Sequence, residues 1–240
     1  ISNMSFLVKN LSNIDNNESL ELLAKKFIPF PNNAITMIVA NGGMGKSFLA
    51  LQMALKFVKE TPNKKVFAFF SEDNFALIKE RAELINSKIL KANALNSEEM
   101  KNIFVASSNT EVPIFFKDNV FDDKAFEEFT EFLKSYDLLI FDPLIAFYNA
   151  NENDNSQARV FMQKWANYAT RQNKAIVFLH HSDKTGRGSR GASAFVDAAR
   201  LVYELSKSGS YKNSLKLSII KDNYNVYKYY KTKNINVFPK

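Results

Sequence analysis

The sequence predicts an α/β protein in which helices cover both faces of a mostly parallel sheet and an antiparallel hairpin completes the sheet near the C-terminus. Short apolar runs alternate along the chain with segments of helical periodicity, a pattern typical of parallel strands buried on both faces. After residue 200 the pattern changes, and Leu215, Leu217 and Ile219 alternate with polar residues, which favours an antiparallel pair. A chain of 240 residues suits one domain of this class.

Each element is predicted from its own local pattern. Residues 1–34 form an N-terminal lead-in or partner-contact segment with a short helix over 18–27, which Pro29 and Pro31 terminate, and residues 35–240 form the main domain. Apolar runs predict strands at 35–40, 66–70, 102–106, 137–142 and 175–179. Helical periodicity predicts helices at 48–58, 74–90, 122–134 and 156–172.

The composition excludes several classes of protein. The chain has no cysteine, which excludes disulfides and thiolate metal sites and makes a cytoplasmic location the default expectation. No apolar run reaches the ~18–20 residues of a membrane span, so we expect no membrane partner. The net charge of +7 permits a nucleic-acid partner without requiring one. Three of the six arginines fall between residues 187 and 200, and this clustering says more than the total charge.

The segment between the first strand and the first helix predicts a phosphate-binding loop. Glycines let backbone N–H groups converge on an anion, and the helix N-terminus adds a partial positive charge. A lysine and a serine close the pattern, and they would reach the β- and γ-phosphates and Mg²⁺ respectively. The first glycine of G-x-x-x-x-G-K-[ST] is replaced by Ala40, the smallest alternative. We assign to the nucleotide Asn41, Gly42, Gly43, Met44, Gly45, Lys46, Ser47 and Phe48.

A magnesium site requires a carboxylate in addition to the loop serine. Asp142 ends an apolar strand and is followed by Pro143, which is the position where phosphate-loop enzymes carry this acid. Ser47 and Asp142 are therefore the predicted Mg²⁺ ligands. The alternative for Asp142 is a strand-terminal residue that caps the turn.

ATP hydrolysis also needs a carboxylate that orients the attacking water. Many phosphate-loop motors place a glutamate directly after the magnesium acid, but Pro143 stands there in this chain. The ends of parallel strands line one crevice, so we predict that Glu72, or its neighbour Asp73, supplies this group from the adjacent strand. Glu72 could instead provide negative charge at the start of the helix that follows.

Two histidines and a basic loop follow the strand at 175–179. Neighbouring residues of a strand point to opposite faces, so one of His180 and His181 is predicted to sense the γ-phosphate and the other to be packed or solvated. The loop at 182–193 suits contact with a DNA backbone, although an ordinary mobile basic loop is the alternative. The predicted DNA-binding residues are Lys184, Arg187 and Arg190.

These motifs, in this order, resemble those of the RecA-like ATPases and most of all those of the RepA-type plasmid replicative helicases. The resemblance runs from about residue 30 to residue 232. It is carried by Ala-Asn-Gly-Gly-Met-Gly-Lys46-Ser47, Ser71-Glu72-Asp73, Leu-Leu-Ile-Phe-Asp142-Pro143, His180-His181-Ser and Arg190-Gly-Ala-Ser-Ala-Phe-Val-Asp197-Ala-Ala-Arg200.

The resemblance implies a RecA-like fold and a homohexameric ring around single-stranded DNA, with ATP and Mg²⁺ bound between subunits and replication proteins as further partners. It also implies an arginine finger from the adjacent subunit, a role that Arg200 matches best. DnaB-type helicases carry the finger in a Lys-x-Arg pattern near the last hairpin. This chain has Lys221, Asp222 and Asn223 there, so Asn replaces that arginine.

Two further functions compete with a DNA-translocating motor. A RecA-like ATPase that regulates or binds a protein partner would need the same nucleotide site without unwinding DNA. A small-molecule kinase fits less well, because it needs neither a water-polarising Glu72 nor a trans-acting Arg200. The sequence has no Asn-Lys-x-Asp segment for guanine, so ATP is the expected nucleotide.

Overall fold

The computed structural model describes residues 8–14, 21–151, 154–181, 190–208, 215–229 and 232–235, and these residues form an eight-stranded sheet, two small hairpins and the covering helices. The strands are β1 (Leu22–Leu23), β2 (Phe30–Pro31), β3 (Ile35–Ala40), β4 (Val66–Phe70), β5 (Ile103–Ala106), β6 (Phe116–Lys117), β7 (Val120–Phe121), β8 (Leu138–Asp142), β9 (Ala175–His181), β10 (Leu201–Lys207), β11 (Leu215–Asp222) and β12 (Thr232–Ile235). The α-helices are α1 (Lys46–Glu60), α2 (Phe75–Leu84), α3 (Ser97–Met100), α4 (Asp123–Phe132), α5 (Asn155–Gln172) and α6 (Arg190–Ala198). Within these described ranges, no helix is long and apolar enough to cross a membrane.

The order of the main sheet is β12-β11-β10-β3-β9-β8-β4-β5. All neighbours from β10 to β5 pair in parallel, whereas β11 and β12 add antiparallel strands at one end. This arrangement confirms the predicted mostly parallel sheet with an antiparallel C-terminal hairpin. Because the parallel strands share one direction, the carboxyl ends of β3, β9, β8 and β4 meet at one edge of the sheet.

Apolar side chains fill both faces of the sheet. One face packs against α1 and α2 and is largely aliphatic. The other packs against α4, α5 and α6 and is rich in aromatic rings, with Trp165 fully buried at its centre. Every residue of β3, β4 and β8 is buried, which explains why these strands read as continuous apolar runs.

Two local predictions are wrong. The first is the helix over 18–27, which is replaced, in its described part, by the small antiparallel pair of β1 and β2. Ala24 has a positive φ of 51°, which breaks a helix, and Phe27 and Ile28 are buried in the core.

The second concerns the tyrosine-rich stretch at 224–230, which the sequence places in the second strand of the hairpin. Its described part instead forms a turn with a short 3₁₀-helix at Val226–Lys228, and the pairing strand is β12. The Asp222 carboxylate accepts hydrogen bonds from the backbone N–H groups of Tyr224 (3.0 Å) and Tyr227 (2.9 Å). A side-chain acceptor of this kind favours a turn over a strand.

The predicted helix over 74–90 is α-helical only as far as Leu84. A π-helical segment at Ile85–Leu90 continues it. The other predicted helices agree with α1, α4 and α5 to within a few residues.

Candidate nucleotide-binding site

The loop between β3 and α1 has the backbone shape of an anion cradle. Gly43 and Gly45 adopt positive φ angles of 73° and 82°, which side chains with a Cβ rarely tolerate. Gly45 is the N-cap of α1 and no side chain caps this helix, so its first-turn N–H groups are oriented to receive an anion. Ala40 is the last residue of β3 and is buried. Its place in the strand explains why a glycine is not needed there.

Lys46 lies in the cradle rather than in solvent. Its side chain is buried, and Nζ donates hydrogen bonds to the carbonyl oxygens of Ala40 (3.2 Å) and Asn41 (3.3 Å). Burial lowers the pKa of Lys46, while the negative charges of Asp142 and Glu72 act in the opposite direction. The ammonium group is therefore a desolvated cation at the start of α1, where an anionic ligand gains the most from it.

Ser47 and Asp142 meet across the sheet edge. The Ser47 Oγ donates a hydrogen bond of 2.6 Å to Asp142 Oδ2, although β9 lies between the strands that carry the two residues. Asp142 is buried, and burial raises its pKa to about 6 despite the Ser47 hydrogen bond and the positive charge of Lys46. A hydroxyl and a carboxylate side by side offer the oxygen ligands that Mg²⁺ prefers.

Glu72 and Asp73 follow β4 at the same edge but have different surroundings. Asp73 forms an ion pair with Arg81 at 2.5 Å. Glu72 is exposed, and its charge acts to raise the pKa values of Lys46, Asp142 and His181. The helix N-cap is supplied by Asn74, which accepts a hydrogen bond of 2.9 Å from Leu77 N, so α2 does not need Glu72 at its start. The geometry thus favours Glu72 over Asp73 as the carboxylate that acts in the crevice.

The two histidines at the end of β9 point to opposite faces, as their adjacency predicts. His181 Nδ1 lies 3.0 Å from Lys46 Nζ. Partial desolvation, followed by the positive charge of Lys46, lowers the pKa of His181, so a neutral ring accepts the lysine hydrogen bond. His180 is buried on the other face, where its ring packs 5.6 Å from that of Phe195. His181 is therefore the histidine that faces the cradle.

Arg200 lies at the opposite edge of the sheet. It precedes β10, whose first residue Leu201 pairs with Thr36 near the start of β3. Four residues of strand, or about 13 Å, separate that level from the cradle. Arg200 is exposed, and its carbonyl oxygen accepts a hydrogen bond of 3.0 Å from Asn223 N. It therefore cannot serve the phosphate loop of its own chain.

The predicted DNA-binding loop is only partly described. Lys184 and Arg187 lie outside the described residues, and Arg190 is the first residue of α6. The loop begins after His181 at the carboxyl edge of the sheet, and α6 leads from it towards the start of β10. The connection between β9 and α6 therefore leaves the sheet beside the cradle.

Comparisons with known proteins agree with this geometry. The family model described as AAA domain matches residues 14–187, which include the cradle, Glu72, Asp142 and His181. Among solved structures, the chain is similar to an ATPase domain, with 15% identity, coverage of 85% of this chain and 80% of that chain, and a TM-score of 0.59. It is also similar to the flagellar accessory protein FlaH from Methanocaldococcus jannaschii, with 16% identity, 88% coverage of both chains and a TM-score of 0.62. No curated protein matches the sequence. These likenesses establish a RecA-like fold.

The raised pKa of Asp142 predicts a stability effect. Because the folded-state pKa of about 6 exceeds the ordinary value of 3.8, the buried carboxylate destabilises the fold increasingly as pH rises from about 4 to above 6. Asp142→Asn removes this charge, so the variant should unfold at higher denaturant concentration than the parent. We expect the gain to grow by on the order of 2 kcal/mol between pH 4 and pH 8.

Urea denaturation without nucleotide, followed by the fluorescence of the single tryptophan, Trp165, measures this difference. Asp118→Asn is the matched control, since Asp118 is exposed and its replacement should have little effect at either pH. A gain from Asp142→Asn that does not depend on pH would contradict the assignment.

Proposed function

This chain belongs to the AAA domain family and is a RecA-like ATPase domain, and from that premise we propose that it hydrolyses Mg-ATP to move along single-stranded DNA as a homohexameric ring, in the manner of RepA-type replicative helicases. The observation that carries the proposal is the meeting of four groups at one sheet edge. Lys46 and Ser47 come from the phosphate loop, Asp142 from β8 and Glu72 from the turn after β4.

In this proposal the cradle and Lys46 bind the phosphates of ATP. The first-turn N–H groups of α1 and the Lys46 ammonium supply positive charge that is already partly desolvated, so little reorganisation is needed on binding. Asn41 to Phe48 surround the nucleotide, as predicted for the loop. A phosphate oxygen would compete with His181 for the Lys46 ammonium group.

Ser47 and Asp142 fit a magnesium ion because they place a hydroxyl and a carboxylate oxygen 2.6 Å apart beside the cradle. Bound Mg²⁺ would neutralise charge that develops on the β- and γ-phosphates. The Asp142 carboxylate must be ionised for this role, and the positive charge of Lys46 favours that ionised form.

Glu72 is the proposed water-polarising group. Its side chain is exposed beside the charged groups of the crevice, whereas Asp73 is held by Arg81. A carboxylate in this position accepts a proton from the attacking water as the new bond to phosphorus forms. Pro143, which occupies the usual place of this group, has no side-chain oxygen.

His181 is the proposed γ-phosphate sensor. It contacts Lys46 on one side and is followed directly by the loop that contains Lys184 and Arg187. A change in the partner of Lys46 therefore changes a hydrogen bond at the start of the proposed DNA-binding loop, which couples nucleotide state to DNA contact.

Arg200 is the proposed arginine finger for the neighbouring subunit. Its backbone is hydrogen-bonded to Asn223, the position at which DnaB-type helicases carry their finger. The two chain segments thus present an arginine at the same place from different strands. Its exposure at the edge far from its own cradle supports a role in trans.

Mixing two inactive variants tests this role. Arg200→Ala and Lys46→Ala should each lose about 10³-fold in ATP turnover, since each removes a charge needed at the transition state. In a 1:1 mixture, roughly a quarter of the interfaces combine an intact Lys46 with an intact Arg200, so ATPase activity should return.

A mixture that stays inactive, although sizing shows mixed rings, would contradict the trans role. The control mixture of Arg171→Ala with Lys46→Ala should retain activity in its Arg171→Ala subunits, because Arg171 is an exposed residue of α5.

Stimulation by single-stranded DNA tests the motor function itself. Oligo(dT) should raise the ATPase rate of the parent protein, and Arg187→Ala/Arg190→Ala should abolish this stimulation while leaving the basal rate, because backbone phosphates bind through positive charge. The matched control is Arg159→Ala/Arg171→Ala, which removes the same charge from exposed positions of α5.

ATP hydrolysis without stimulation at any DNA length would overturn the motor proposal. It would favour the alternative, a RecA-like ATPase that acts on a protein partner.

A further inference from the structure

The turn that carries Glu72 is fixed on both sides of that residue. Ser71 donates from its backbone N–H (3.0 Å) and from Oγ (3.3 Å) to the carbonyl oxygen of Asp142. Asp73 is fixed through its carbonyl oxygen, which accepts a hydrogen bond of 2.8 Å from Ser108 N. Glu72 is thus the exposed residue between two anchored neighbours.

A further anchor comes from helix α2. Arg81 Nη1 donates to Asp73 Oδ2 at 2.5 Å. The side chains of Arg81 and Asp73 are only 21% and 14% exposed, so the pair is shielded from solvent and stronger than a surface ion pair.

The same guanidinium group reaches the helix of the phosphate loop. Its central carbon lies 5.2 Å from the centre of the Phe48 ring, within the range of a cation–π contact. Phe48 directly follows Ser47 in the first turn of α1. Arg81 therefore contacts both the turn that carries Glu72 and the helix that carries Lys46 and Ser47.

We propose that Arg81 is a positioning residue that fixes Glu72 relative to the phosphate loop by joining Asp73 to Phe48. The inference rests on the proposed role of Glu72 in hydrolysis. A carboxylate that orients water must be held within a fraction of an ångström of its productive position. An exposed side chain on an untethered turn would not meet that requirement.

Arg81 has a second consequence for the charge of the crevice. Asp73 lies near enough to Asp142 to affect its ionisation, so an unpaired Asp73 would add negative charge beside a site for a triphosphate. The ion pair with Arg81 holds this carboxylate and offsets its charge. Glu72 is then the acid of the pair left to act on water.

The test measures turnover and nucleotide affinity separately. Arg81→Ala should lower kcat by about 10- to 100-fold, the scale expected for a small misplacement of a reacting group. The Kd for a fluorescent ADP analogue should stay within about twofold, because Lys46 and the cradle are untouched. Arg81→Lys, which keeps the charge but lacks the planar fork, should lower kcat by less.

Asp73→Asn breaks the ion pair from its other side and should also lower kcat. The double variant Asp73→Asn/Arg81→Ala should be no slower than the slower single variant, because both act through one contact. Lys79→Ala is the matched control, since Lys79 lies on the same helix and is exposed. It should leave kcat unchanged.

A kcat for Arg81→Ala within about twofold of the parent value would overturn the inference, as would a loss of ADP affinity equal to the loss in kcat. Should circular dichroism show that Arg81→Ala does not fold, Arg81→Lys and Asp73→Asn decide the question by the same criteria. Glu72→Gln separates the two proposals. Normal turnover in Glu72→Gln refutes the proposed function, whereas an inactive Glu72→Gln with a normal Arg81→Ala refutes only the positioning role.

Discussion

The hydrogen bond between Ser47 and Asp142 is the contact on which the arrangement of the crevice depends. It links the phosphate loop to a strand that is two places away in the sheet, across β9. Two buried parallel strands cannot bring their ends closer than their spacing of roughly 5 Å per strand allows, so a side chain must close the gap. The short serine at the start of α1 and the aspartate at the end of β8 do so at the edge where Lys46 and Glu72 also lie.

Unlike charges held near one another give this edge its chemical character. Burial raises the pKa of Asp142 and lowers that of Lys46, so the charged form of each group is less stable than it would be in water. A bound phosphate and a divalent cation would relieve both effects, because each supplies the opposite charge to one of them. The same balance keeps His181 neutral beside Lys46. The fold therefore holds charged groups that ligand binding would stabilise, which is common at functional sites.

The sequence was sufficient to predict the sheet class and the groups of the crevice, because strand ends in a parallel sheet share one edge. It did not distinguish His180 from His181, since adjacency predicts opposite faces but not which face holds α1. It also left Glu72 and Asp73 as alternatives, because the partner that engages Asp73 is Arg81, eight residues further along the chain. The spacing of Arg81 from Asp73 was visible, but the turn between them hid the contact. The hairpin strand was misplaced because the apolar rings of the tyrosine stretch outweighed the turn signal of Asp222.

The central claim is that one crevice holds the phosphates between Lys46 and Glu72. The most direct test is an experimental structure with Mg²⁺, ADP and aluminium fluoride, which mimics the phosphoryl group in transfer. The claim predicts that Lys46 Nζ binds the mimic, that its 3.0 Å contact with His181 is lost, and that the Glu72 carboxylate faces the attacking position. A mimic bound at the cradle with Glu72 turned towards solvent would contradict it.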